Sequence, residues 1–250
     1  MSKLNPGVSF VIIGILLSIL VSAECIAAAN HHMADPMTDI MPISWNDAYF
    51  KIINSPSESE LEKGNVLFDM MAMENNTVVA QSVGLIDASP KECFKIVRNY
   101  NHYAEIMPYT AESKIVRSFT LGGENAGTEA VDFWTKVRVF GFETRYLLRV
   151  VHLSGSEGHS YQTYWTLVNN PATVSDCRDS NMRTCENDLD MNIGSHRFEQ
   201  YQGNPNRTMH TYTLKVRGKR WAQCIGLRVG CGNSMRQVTE AIRRAVASGR

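Results

Sequence analysis

The sequence predicts an α+β fold in which a curved antiparallel sheet wraps around a C-terminal helix. Three observations predict it. From Glu112 to Arg217 the apolar residues recur with a period of two, broken by short turn-forming separators. Ahead of this run stand a strand pair and a capped helix. Behind it, Met235, Val238, Ile242 and Val246 form one apolar stripe at helical spacing. A sheet with one solvated face must bury the other against something, and the terminal helix is the available cover.

The chain opens with an apolar run, Val8 to Ala23, preceded by Lys3 and ending on the small residues Val21-Ser22-Ala23. As a helix it would rise only about 24 Å, short of the roughly 30 Å hydrocarbon core. Residues 1–23 therefore read as a secretory signal, and the protein as exported, periplasmic or secreted. An uncleaved anchor extended through Cys25 to Ala29 is the alternative. Residues 24–60 read as a linker with a short amphipathic helix over Trp45 to Ile53. His31 and His32 fall in this tail and carry no metal-site pattern.

The folded domain is expected over residues 61–250. Val66 to Met73 and Thr77 to Ile86 read as strands joined at Glu74-Asn75-Asn76. Ser89-Pro90-Lys91-Glu92 is a capping box, with Pro90 in the first turn of a helix that carries Cys93, Ile96, Val97 and Tyr100 on one face. A short helical turn, Tyr103 to Met107, stops at Pro108. Six strands follow: Glu112–Leu121, Glu129–Val139, Glu143–His152, Ser160–Val168, Ser195–Tyr201 and Thr208–Arg217. Their separators, such as Gly122-Gly123-Glu124-Asn125 and Gly203-Asn204-Pro205-Asn206, carry turn chemistry and favour an antiparallel meander. Asn169 to Asn192 is longer and polar, and reads as a surface loop. The terminal helix is expected over Ser234 to Ser248, with Gly226, Gly230 and Gly232 interrupting anything longer. Arg236, Glu240 and Arg244 are placed for i,i+4 pairing on its outer face.

Export permits disulfides, and six cysteines are present. Cys177 and Cys185 flank a short loop and are the first candidate pair; Cys224 and Cys231 are the second. No CxxC spacing supports a zinc site, and the acids around Asp188 and Asp190 lack the spacing of a calcium loop. With Lys plus Arg equal to Asp plus Glu, the chain lacks the broad positive field of a nucleic-acid binder. Its 44% apolar composition excludes wholesale disorder.

Several short segments, in this order, resemble one superfamily. They are Leu61-Glu62-Lys63-Gly64-Asn65-Val66, Ile86-Asp87-Ala88-Ser89-Pro90 with the helix behind it, Tyr100-Asn101-His102-Tyr103-Ala104-Glu105-Ile106-Met107-Pro108, Gly194-Ser195-His196-Arg197-Phe198 and Thr208-Met209-His210-Thr211-Tyr212. Together they resemble the START-like (SRPBCC) superfamily, and most of all its coenzyme-Q-binding, polyketide-cyclase-like branch with exported bacterial members. The resemblance spans about Leu61 to Ala247. It implies a helix-grip fold and a hydrophobic small molecule or lipid as partner, with no cofactor.

No GxSxG, HExxH, phosphate-binding or dinucleotide-binding motif is present, so no catalytic residue is assigned. Strand parity and helix face instead select an apolar lining: Tyr103, Met107, Phe133, Tyr146, Trp165, Phe198, Tyr212 and Met235. His196 and His210 share the parity of Phe198 and Tyr212 and are expected to face the same space. An enzyme of cyclase or hydrolase type using that cavity, and an envelope interaction module, are the competing function classes. Residues 207–250 hold ten Lys/Arg and one acid, Glu240, a charge of +9, against −10 for residues 24–206. The basic segment is a candidate contact for anionic headgroups at a membrane surface; the near balance favours pairing with the protein's own acids.

Overall fold

The computed structural model describes residues 52–249 apart from 123–126, 140, 156–157, 175–176, 180 and 220, with residues 173 and 221–230 described in backbone only. The expected signal segment, its cleavage point and most of the Trp45–Ile53 helix lie outside the described residues. Among the described residues no helix is long and apolar enough to cross a membrane.

The elements are α1 (Glu58–Glu62), β1 (Leu67–Ala72), β2 (Val78–Ile86), α2 (Pro90–Val97), α3 (Tyr103–Ile106), β3 (Thr110–Thr120), β4 (Glu129–Val139), β5 (Phe142–Ser154), β6 (Ser160–Leu167), β7 (Leu189–Tyr201), β8 (Asn204–Gly218) and α4 (Trp221–Ala247). All eight strands form one antiparallel sheet in the order β1-β2-β8-β7-β6-β5-β4-β3. The run β3 to β8 is the expected meander. The pairing of β2 with β8 brings the first hairpin beside the last strand, and every residue of β2 is buried there.

The local signals for α2 are all realised. The Glu92 amide donates to Ser89 Oγ at 3.3 Å, and the Ser89 amide donates to Glu92 Oε2 at 2.9 Å. The stripe on α4 faces inward: Met235 and Ile242 are buried and Val238 and Val246 half-buried.

Several boundaries differ from the sequence reading. The terminal helix starts at Trp221 rather than Ser234, running through Gly226, Gly230 and Gly232. A glycine costs only about 1 kcal/mol relative to alanine in a helix, which packing readily offsets. Cys224 and Cys231 thus lie on one helix, seven residues or roughly 10 Å apart along its axis, too far for a disulfide. Cys231 is a free, buried thiol. On the same helix Glu240 pairs with Arg243 at 2.6 Å, at i,i+3 spacing rather than the expected i,i+4 spacing to Arg236 or Arg244. Strand β7 begins six residues before Ser195, because Asp190, Asn192 and Gly194 interrupt the apolar pattern of a stretch that pairs with β8, with a register shift between Leu189 and Met191. The β7–β8 turn is only Gln202-Gly203, both at positive φ (50° and 74°), as a two-residue hairpin requires.

The loop between β6 and β7 is not simply a solvated excursion. Cys177 and Cys185 form the expected disulfide, with Cα atoms 5.4 Å apart. Together with Val168 and Val174 it packs on Trp134 and Leu147 at the convex face. The loop also completes the ladder where β6 has ended: Leu147 N donates to Asn187 Oδ1 and Arg145 N to Asp188 Oδ2, both at 2.8 Å. Asp188 is therefore a strand-edge partner that also pairs with Arg145.

Part of the basic terminal segment is neutralised internally. Arg207 reaches Glu62 and Asp87, and Arg217 reaches Asp190.

Candidate functional site

Helix α2 packs on β6, β7 and β8 and against α4, filling one end of the concave face. Ile86, Phe94, Val97, Phe198 and Ile242 make a solid cluster there. The other end has no such cover. Between the concave faces of β4 to β8, the α3 segment and the near side of α4 lies a cavity of about 200 Å³.

Seven of the ten lining residues selected from the sequence meet at this cavity: Tyr103, Met107, Phe133, Tyr146, Trp165, His196 and Tyr212. Three do not. Phe198 is fully buried in the solid cluster, ring to ring with His210 at 4.8 Å. His210 lies beneath His196 and between Phe198 and Thr239. Met235 is buried beside the Cys231 sulfur, one helical position away from the exposed side of the cavity formed by Ser234 and Val238. Parity put these three on the correct face; distance along the strand or around the helix removed them from the space.

The wall is built by close approach. Gly194 on β7 lies under the Trp165 indole, where a Cβ would fall 2.3 Å from Trp165 Cζ2 and 2.4 Å from the Thr213 carbonyl. Only glycine lets the indole lie there. Trp165 Nε1 donates to Asn192 Oδ1 at 2.9 Å, which fixes the ring. Tyr100 and Phe133 pack ring to ring at 4.9 Å, tilted by 41°, and the Tyr100 hydroxyl meets His152 Nε2 at 2.9 Å. The Tyr103 hydroxyl donates to the Val97 carbonyl.

The mouth is formed by residues outside the set that strand parity and helix face select. Pro108, Tyr109 and Thr110 border it on one side and Val139 and Phe142 on the other. Phe142 is 45% exposed, unusual for a phenylalanine and consistent with a rim position. Tyr109 sits at φ 60°, a left-handed conformation rare for a bulky residue. It is held from two sides: Arg138 N donates to its carbonyl at 2.8 Å, and Asn233 Nδ2 on α4 donates to its hydroxyl at 3.1 Å. The Pro-Tyr step after α3 was the one signal in the sequence, and it reads equally as an ordinary helix stop.

Among the described residues no Asp, Glu, Lys or Arg lines the cavity. Burial pushes the Tyr146 hydroxyl up to about 12 and the Cys231 thiol up to about 12, and raises the Tyr212 hydroxyl further. Burial lowers His196 to about 3 and holds His210 well below its ordinary value, with His196 and Arg243 adding to the effect. His196 stacks on Tyr212 at 4.5 Å and its Nδ1 meets His210 Nε2 at 3.1 Å. Among the described residues no group of three or more metal-ligating side chains converges.

No protein-family model and no curated protein matches the sequence. Solved structures do. A STAR-related lipid transfer protein fragment from Xanthomonas axonopodis is 11% identical, covering 73% of this chain and 93% of that one, with a TM-score of 0.51. The human StAR-related lipid transfer protein 5 is 11% identical over 74% of this chain and 83% of that one, with a TM-score of 0.53. The curved eight-stranded antiparallel sheet and long C-terminal helix of this chain match the fold of these structures. The protein has the START-like helix-grip fold.

Proposed function

We propose that the protein is an exported carrier that binds an apolar small molecule or lipid in the cavity without chemical turnover. The single observation that carries this reading is the cavity itself: set between sheet and helix, walled by aromatic and aliphatic side chains, and lined by no charged one among the described residues. Burial of apolar area, at about 25 cal/mol per Å², supplies the affinity. The resemblance to lipid-transfer structures supports the same reading at the level of fold. The volume of about 200 Å³ is below the roughly 300–1,000 Å³ of sites that enclose a drug-sized ligand. It suits a ring system or a short acyl stretch, and a longer tail, as on a quinone or isoprenoid, leaves through the mouth beside Tyr109 and Phe142.

Export is carried by the Val8–Ala23 segment, and contact of the basic terminal segment with anionic lipid would serve loading. A cyclase-like or hydrolase-like reaction would lean on His196 as base. Depressed to about 3, that ring is a poor proton acceptor near neutral pH.

Native mass spectrometry of the protein from an exported preparation, followed by solvent extraction and lipid analysis, tests the reading. A non-covalent adduct released as an apolar compound is expected. A ligand-free protein that takes up neither quinone nor phospholipid would remove the carrier reading.

A further inference from the structure

We propose that the cavity selects an uncharged ligand bearing a hydrogen-bond acceptor, of the ketone or quinone carbonyl type, which accepts a hydrogen bond from His196 Nε2–H. This rests on the carrier reading and specifies the chemistry of its cargo.

Several polar groups in the wall are already occupied, while the Tyr146 and Tyr212 hydroxyls, without a hydrogen-bond partner among the described residues, can turn to donate or to accept and so set no fixed preference. Thr135 Oγ1 donates to the Glu112 carbonyl, Ser234 Oγ to the Cys231 carbonyl, and Trp165 Nε1 to Asn192. His196 differs. Its Nδ1 is taken by His210, and its Nε2 has no hydrogen-bond partner among the described residues although the ring lines the cavity. The stack on Tyr212, and Trp165 at 5.2 Å on centroids, fix the direction in which that nitrogen points.

The proton on His196 is assigned by the chain of bonds behind it. Thr239 on α4 is fully buried, and its Oγ1 meets His210 Nδ1 at 3.0 Å, its one partner among the described residues. A hydroxyl carries one proton and needs one acceptor. If Thr239 donates to His210 Nδ1, that proton is satisfied. His210 then carries its own proton on Nε2 and donates it to His196 Nδ1. His196 in turn carries its proton on Nε2, facing the cavity. The reverse direction strands the Thr239 proton in the core, which costs about 1–3 kcal/mol. Burial keeps both rings neutral, so neither donates from both nitrogens. The inner wall thus presents a fixed donor that a ligand acceptor satisfies and a hydrocarbon leaves unpaired. Among the described residues the same wall offers a carboxylate no cation, so an acid must shed its hydration without a counter-charge.

The test uses three probes of one shape: methyl naphthyl ketone, ethylnaphthalene and naphthoate, titrated into the full folded protein near neutral pH. The ketone is expected to bind about tenfold tighter than the hydrocarbon, the worth of one well-placed hydrogen bond, and naphthoate weakest of the three. Thr239→Val, which removes only the hydroxyl that orients the relay and does not touch the cavity, should bring the ketone-to-hydrocarbon ratio towards one with ethylnaphthalene binding retained. Imidazole proton–nitrogen correlation spectra of the unmodified protein give the tautomer directly and should show His196 and His210 both protonated at Nε2. A proton on His196 Nδ1, or equal binding of ketone and hydrocarbon, overturns this inference and leaves the carrier reading standing. Failure of all three probes to bind overturns both.

Discussion

The two ends of the concave face are made from the same kinds of residues and end up in opposite states. At one end, Phe94 of α2 and Ile242 of α4 interlock with Phe198 of the sheet and leave no room. At the other, Phe133, Tyr146 and Trp165 face a cavity. The strands run through both ends with unbroken alternation, so hydrophobicity does not distinguish them. What does is α2: it fills one end, whereas the short α3 segment borders the other without filling it. His196 and His210 stand on the border, adjacent rings of which one lines the space and the other belongs to the packed side. An apolar aromatic face is therefore not in itself a site; it becomes one where covering volume is withheld.

The largest effect is expected at the packed end. Ile242→Asp puts an unpaired carboxylate among Ile86, Val97 and Phe198, and a loss of several kcal/mol is expected, enough to abolish cooperative unfolding. Urea denaturation followed by circular dichroism measures it; a stable, soluble variant would mean the α4 stripe is not core. At the border the effect is smaller and depends on pH. His196 titrates near 6.5 when unfolded and at about 3 when folded. Between those values the unfolded chain binds a proton that the native protein excludes, so acidification destabilises and raising the pH towards 7 restores stability. The slope is about 1.4 kcal/mol per pH unit for one such histidine. Urea midpoints between about pH 6.5 and 4.5 should fall accordingly, and His196→Phe should flatten the curve by up to that slope; an unchanged curve would place the ring in contact with water.

On the convex face, away from both ends, the double change Cys177→Ser with Cys185→Ser should cost about 2–3 kcal/mol in the chain-entropy account for so short a loop. It should leave uptake of quinone or lipid as it was. Altered uptake would tie the loop to the cavity. The smallest stability change belongs to the open end. Thr163→Leu adds bulk where Thr163 borders the cavity, and should cost less than about 1 kcal/mol while sharply weakening ligand uptake. In a packed core the same change would cost about 1–3 kcal/mol. Thermal melts beside quinone binding separate the two outcomes, and a large drop in melting temperature with binding intact would relocate the cavity.

Much of this was readable from local pattern. The Ser89–Glu92 capping box, the alternation along β4, β5 and β6 and the inward stripe of α4 each depend on residues within a few positions of one another, where propensity and periodicity act directly. The eight-residue spacing of Cys177 and Cys185 is similarly short-range. Those signals determined the elements, their type and which side chains share a face, and so placed seven lining residues at the cavity. They were silent on distance along that face. Phe198 and Trp165 look alike in the sequence, and only the position of α2 separates them. Tyr109 and Phe142 meet at the mouth from segments over thirty residues apart, and nothing local announces it. The pairing of β2 with β8, the packing of the stapled loop on Trp134 and the division of one face into a solid end and an open one were decided by tertiary structure alone. The physical reason is that empty volume is not a property of any segment; it is what remains after side chains from distant parts of the chain have been brought together and have filled what they can reach.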